Sequence, residues 1–240
     1  MNYSSQLITA AQTLCEAVSG MYFSPPVAMV YNPLDYARES HSLYLSTYGN
    51  SKKKVVFLGM NPGPWGMAQT GVPFGEINAV KYWLGINAPV HQPKNQHPKR
   101  PIEGFQCIRS EISGLRLWGL FKERFIKAEY FFEHHFVANY CPLVFMEASG
   151  RNRTPNKLKA GERQVLFQAC DRHLQQVVRI LAPQWLIGVG KFTEERARTA
   201  LKGKNINIGN ILHPSPASPA ANRDWAGTVT KQMMALKIWL

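Results

Sequence analysis

Apolar and polar positions along the chain alternate between two periods. The stretch 3–18 reads as an amphipathic helix, and a short strand follows near 27–31. A helix near 34–47 leads to a strand at 54–59, built on the apolar run Val55–Leu58. Beyond it come a glycine-rich loop, a helix from about 76 to 85, and a long irregular stretch, 86–110. A helix near 111–125 precedes an extended run from His134 to Asn139. A long helix over 159–181 leads to a strand at Trp185–Val189, a helix at 191–202, a strand near 206–211 and a last helix over 219–237. Strands separated by helices of this length imply parallel pairing through right-handed crossovers. The pattern predicts one α/β domain over residues 1–240, with helices on both faces of the sheet.

In such a sheet, ligands sit beyond the carboxyl ends of the strands. That directs attention to the loops after Leu58, Val137, Val189 and Leu212. The first reads GMNPGPWGMAQTGVPFGE over 59–76. It lacks both glycine patterns of phosphate-binding loops. Pro62 and Pro64 also remove N–H groups that a phosphate would need. A rigid Asn61 among small residues suits the placement of one water or one base edge, or else caps its own turn. Asn139, at the end of the extended run, carries an amide able to pair with a nucleobase edge; a satisfied strand-end asparagine is the plainer reading. His213 is followed by Pro214 and Pro216, so it is held on a short stiff connector. Ser218 is placed to cap the last helix, with Pro219 at its first position.

The charge balance adds a partner to this picture. Lys and Arg outnumber Asp and Glu by 28 to 15, a formal charge of +13. Such a surplus favours nucleic acid first and an anionic membrane surface second. Lys94, Lys99 and Arg100 share one loop, Arg151, Arg153 and Lys157 another, and Lys191 opens a helix beside Gly190. Grouped around one rim, they read as a phosphate track. No apolar run reaches membrane-spanning length, and the N-terminus lacks a basic export region, so the protein is expected inside the cell. Four dispersed cysteines, Cys15, Cys107, Cys141 and Cys170, are expected as buried free thiols. No His/Cys spacing suggests a metal. His134 and His135, adjacent in the extended run, would face opposite sides.

Taken together, the loop at 59–76 and HPSP at 213–216 resemble the single-strand-selective monofunctional uracil-DNA glycosylases, the third family of the uracil-DNA glycosylase superfamily. The likeness extends to HPKRP (97–101), NYCPL (139–143), SGRN (149–152), GVG (188–190) and ANRDW (221–225), from about residue 27 to the C-terminus. It implies a three-layer α/β/α fold and a monofunctional hydrolase that starts base excision repair, with no metal or cofactor. Uracil and oxidised relatives such as 5-hydroxymethyluracil would be removed from single- and double-stranded DNA by a monomer working wherever the cell keeps its DNA. Asn61 would position the attacking water and His213 would stabilise the departing base. Phe74 would stack on the flipped base, Asn139 would read its edge, Gly63 would leave room at C5 and Met60 would line the pocket. DNA would be met by Pro214, Ser215, Pro216, Ala217, Ser218, Arg223, Lys191 and Arg151. Ala217 departs from the family, which often carries a wedging arginine there, and Trp65 is expected as an apolar wall. Two other readings stand beside this one: a non-catalytic nucleic-acid binder, and an enzyme acting on a small phosphorylated nucleoside.

Overall fold

Residues 2–240 are described by a computed structural model. The elements are α1 (Tyr3–Ser19), β1 (Val27–Tyr31), α2 (Pro33–Tyr36), α3 (Arg38–Tyr48), β2 (Val55–Gly59), α4 (Met67–Thr70), α5 (Ile112–Phe125) and α6 (Ala128–His134). They continue with β3 (His135–Asn139), β4 (Val144–Glu147), β5 (Asn152–Arg153), α7 (Ala160–Leu181), β6 (Trp185–Val189), α8 (Lys191–Ala200), β7 (Asn207–Ile211) and α9 (Pro219–Ala235).

Four strands form a parallel sheet in the order β3-β2-β6-β7. β2 lies at its centre and is buried at all five positions, as its unbroken apolar run requires. Successive side chains serve opposite faces. Phe57, Ile187 and Val189 join a cluster with Phe121 of α5, Phe131 of α6 and Val229 of α9. Leu58 and Leu186 join a second, with Leu14 of α1, Leu166 of α7 and Ala197 of α8. The three-layer α/β/α architecture follows from that division.

Several expectations are corrected. β1 is not in the parallel sheet: it pairs antiparallel with β4, which pairs antiparallel with β5, in a second small sheet. β4 follows β3 after a turn of only four residues, Tyr140–Leu143, too short for a helical crossover. The helix expected at 34–47 is broken at Ala37, whose backbone leaves helical geometry between α2 and α3. The helix expected over 76–85 is largely a π-helical turn, Ala79–Trp83, started by the Glu76 carboxylate accepting the Ala79 N–H at 2.8 Å. His134 closes α6 and His135 opens β3, so the two do not share a strand.

The cap of the last helix is as expected. Ser218 accepts the Ala221 N–H at 3.3 Å and Pro219 occupies the first turn. All four cysteines are free and buried.

Candidate active site

The register of the parallel sheet brings the expected residues to one rim. Gly59 of β2 sits beside Asn139 of β3. The ladder continues past both strands, with Tyr140 N–H donating to Gly59 O at 2.8 Å and Cys141 N–H to Met60 O at 2.9 Å. The loop carrying Asn61 is therefore fixed to the strand end carrying Asn139. On the far side, Gly190 N–H donates to Ile211 O at 2.9 Å, joining the end of β6 to the end of β7, two residues before His213.

Gly59 and Gly190 shape the space between these ends. A Cβ on Gly59 would strike both Asn139 Oδ1 and the Phe74 ring. Those two groups therefore close over a bare backbone. Gly190 has φ +94°, and a Cβ there would also lie 3.2 Å from His213 Cβ. Only glycine combines that conformation with that approach. Phe74 is held at φ +52°, a left-handed conformation unusual for an aromatic residue. Its carbonyl accepts from Trp118 Nε1 at 2.9 Å and from Glu76 N–H at 2.7 Å, which keeps it there. The Phe74 and His213 ring centroids are 6.4 Å apart at 45°.

The polar atoms of the site are half used. Asn61 Nδ2 donates to Leu143 O at 3.1 Å and Pro62 O at 3.3 Å, while Oδ1 has no partner among the described residues. Asn139 Nδ2 donates to Met67 Sδ at 3.2 Å, and its Oδ1 also has none. The His213 ring makes no hydrogen bond to any described residue, and burial pushes its imidazole below the ordinary value. His41 and His135, by contrast, bond main-chain carbonyls through Nδ1. Asn61, Asn139, Phe74 and His213 thus meet at one rim with two amide oxygens and one neutral imidazole uncommitted. Met60, next to Asn61 in the same loop, is half-buried.

The supports of these residues escape sequence reading. Leu212, next to His213, is clamped at both ends: its N–H donates to Gln232 Oε1 at 2.9 Å and its carbonyl accepts from Trp225 Nε1 at 2.7 Å. Arg116 of α5 donates to Pro214 O and Ser215 O at 3.2 and 3.3 Å, and to Asn222 at 2.9 Å. Gln69, wholly buried, ties the Asn61 loop to the segment after HPKRP. It donates to Pro64 O and Pro101 O and accepts from Glu103 and Gly104 N–H. A polar residue spaced among small ones in the motif is the only trace of this in the sequence.

Of the residues expected to meet DNA, Pro216, Ala217, Arg223, Lys191 and Arg151 are exposed, and Ser215 and Ser218 are half-buried. Pro214 is buried. Arg153 instead pairs with Glu147 at 2.9 Å and caps Lys157 O. Trp65 is more than a wall: the guanidinium carbons of Arg100 and Arg109 each lie 4.8 Å from its ring centroid. Neither arginine has a carboxylate partner among the described residues. His97 of HPKRP is a structural residue, buried, with its ring against Ala148 O and Lys99 N–H.

Known proteins resemble this chain in sequence and fold. Residues 46–236 match the model of the uracil DNA glycosylase superfamily. A single-strand selective monofunctional uracil DNA glycosylase of Mus musculus is 47% identical over 221 residues, covering 91% of this chain and 79% of that protein. The Rattus norvegicus protein of the same description is 47% identical over the same share of this chain and 80% of its own. A crystal structure of Pedobacter heparinus SMUG2 superposes with a TM-score of 0.72 at 16% identity, over 99% of this chain and 97% of that one, which speaks for the fold. The chain belongs to the single-strand-selective monofunctional uracil-DNA glycosylases of the uracil DNA glycosylase superfamily.

Proposed function

We propose that the protein hydrolyses the N-glycosidic bond of uracil, and of 5-hydroxymethyluracil, in single- and double-stranded DNA, leaving an abasic strand. The observation that carries this reading is the pair of uncommitted groups, Asn61 Oδ1 and the His213 ring, at the rim that also carries Phe74. A base must leave the stack before its glycosidic bond is reachable, at a cost of a few kcal/mol. Stacking on Phe74 would return roughly 1–3 kcal/mol. Asn139 would accept the uracil N3–H through Oδ1 and donate to O4 through Nδ2; cytosine presents the opposite pattern.

The chemistry then needs no charged base at the water. As the bond stretches, the base gains negative charge and the sugar positive charge. An imidazole N–H aimed at uracil O2 acts most strongly at that point. Asn61 Oδ1 would hold a water by accepting a hydrogen bond from it, since an amide cannot usefully take the proton itself.

Two predictions test the recognition. Asn139→Ala is expected to lower uracil release and to erode discrimination against cytosine, by roughly 1–3 kcal/mol for a matched bidentate contact. Unchanged selectivity across uracil, 5-hydroxymethyluracil and cytosine oligonucleotides would remove the edge-reading role. The Arg100–Trp65–Arg109 cluster would take a DNA phosphate. Arg109→Ala is then expected to weaken binding to single strands uniformly across sequences. It should reduce the slope of log K against log salt by about 0.7, the value for one contact to a single strand. A salt slope equal to wild type would exclude Arg109 from the contact. A panel of uracil, 5-hydroxymethyluracil and cytosine strands, single and duplex, tests the reading as a whole. Release of the first two and not the third supports it, and failure to release uracil overturns it.

A further inference from the structure

Glu111 takes no part in the steps above, yet its carboxyl is pressed against the loop that carries Asn61. A Cβ on Gly63 would lie 2.9 Å from Glu111 Oε1, and one on Gly66 would strike Oε2. A Cβ on Gly114, in the first turn of α5, would lie 3.0 Å from the same Oε2. Three glycines, two from the loop and one from the helix, make room for one carboxyl. Its backbone is fixed, because Glu111 O accepts the Leu115 N–H at 2.8 Å as α5 begins.

Glu111 shares this region with a second buried carboxyl, Glu76, and the two are treated differently. Glu76 is 2% exposed and is supplied with donors: Ala79 N–H at 2.8 Å and Ser110 Oγ at 3.2 Å. Glu111 Oε2 is buried with no hydrogen-bond partner. A buried carboxylate needs donors or an opposite charge, and without them it keeps its proton. The cations nearby are aimed elsewhere. Arg109, on the segment leading into α5, lies over Trp65. Arg116, on α5, holds the Pro214 and Ser215 carbonyls. His213, across the site, faces Phe74.

We propose that Glu111 is a positioning residue: its uncharged carboxyl fills the saddle between Gly63 and Gly66 and so holds the loop that presents Asn61. The inference rests on the glycosylase reading for its effect on rate. Burial first, and then the charge on Glu76, push the Glu111 carboxyl up to about 7, with the Gly114 N–H opposing. Loss of its proton places a poorly solvated charge against the loop and against Glu76. Because its value is raised in the folded state, the stability it contributes is present at low pH and is lost as pH rises through about 7.

The test is the pH profile of uracil release by wild type and Glu111→Gln under single-turnover conditions, with DNA binding and thermal midpoints followed in parallel. Wild type is expected to slow above about pH 7. Glu111→Gln is expected to match wild type at pH 6 and to lose that alkaline decline. Its thermal midpoint should exceed wild type at pH 8 and converge with it near pH 5. The same decline in the variant, or a folded variant inactive at pH 6, overturns the proposal. In wild type, carbon NMR of labelled glutamates should show one carboxyl titrating near neutrality; all of them titrating in the ordinary acidic range overturns it as well. Should no uracil be released at any pH, the glycosylase reading fails, while the NMR and midpoint arms still judge the buried carboxyl.

Discussion

Replacing His213 with alanine is expected to slow uracil release by about 10²–10³-fold, the usual loss when a donor to a developing anion is removed. The departing base needs a donor where its negative charge develops. Burial keeps the His213 ring neutral at physiological pH, which suits a hydrogen-bond donor whose work comes late in bond breaking. The residue is held from both sides. Leu212 is clamped by Gln232 and Trp225, Pro214 and Ser215 by Arg116, and Gly190 leaves the gap the ring enters. DNA affinity is expected to stay within a few-fold of wild type, since the exposed cations that would meet phosphates are other residues: Arg151 in a loop, Lys191 of α8 and Arg223 of α9. Single-turnover release and equilibrium binding of the same oligonucleotide separate the two effects. A full rate with His213→Ala would remove the residue from the chemistry.

Asn61→Ala carries the second large effect. The attacking water would be held by one amide oxygen, and loss of that hold costs position rather than proton transfer. Misplacement of a reacting group by about 1 Å costs on the order of 10²-fold. The Asn61 side chain is oriented by Leu143 O and Pro62 O through Nδ2, which leaves Oδ1 free. Alanine removes the acceptor and both anchors. The rate is expected to fall by about 10²-fold with uracil-DNA binding retained. Equal rates for wild type and Asn61→Ala would show that the water is placed by another group.

The main sheet and its rim were legible because they rest on local signals. Val55–Leu58 and Trp185–Val189 are short apolar runs between helical stretches, and parallel pairing follows from the lengths between them. Asn61, Asn139 and His213 could be brought together because each sits at or just past the end of a strand of that sheet. The small antiparallel sheet was not legible, since β1 and β4 are more than 100 residues apart and no local signal joins them. The break at Ala37 and the π-helical turn at Ala79–Trp83 interrupt stretches whose apolar periodicity reads as continuous helix.

The glycines of the Asn61 loop show the same limit. Their density marked the loop as special, and the sequence reading assigned Gly63 to the space beside the base. What lies next to the bare Cα atoms of Gly63 and Gly66 is a carboxyl far along the chain, Glu111, which no spacing rule connects to them. Trp65 likewise read as a wall, because its two arginines come from separate segments.

The most direct measurement of the account is product analysis after the protein acts on a single-stranded oligonucleotide with one uracil. The account predicts stoichiometric free uracil and a full-length strand that breaks at the uracil position only after alkali. Absence of free uracil, or strand cleavage by the protein before alkali, would contradict it.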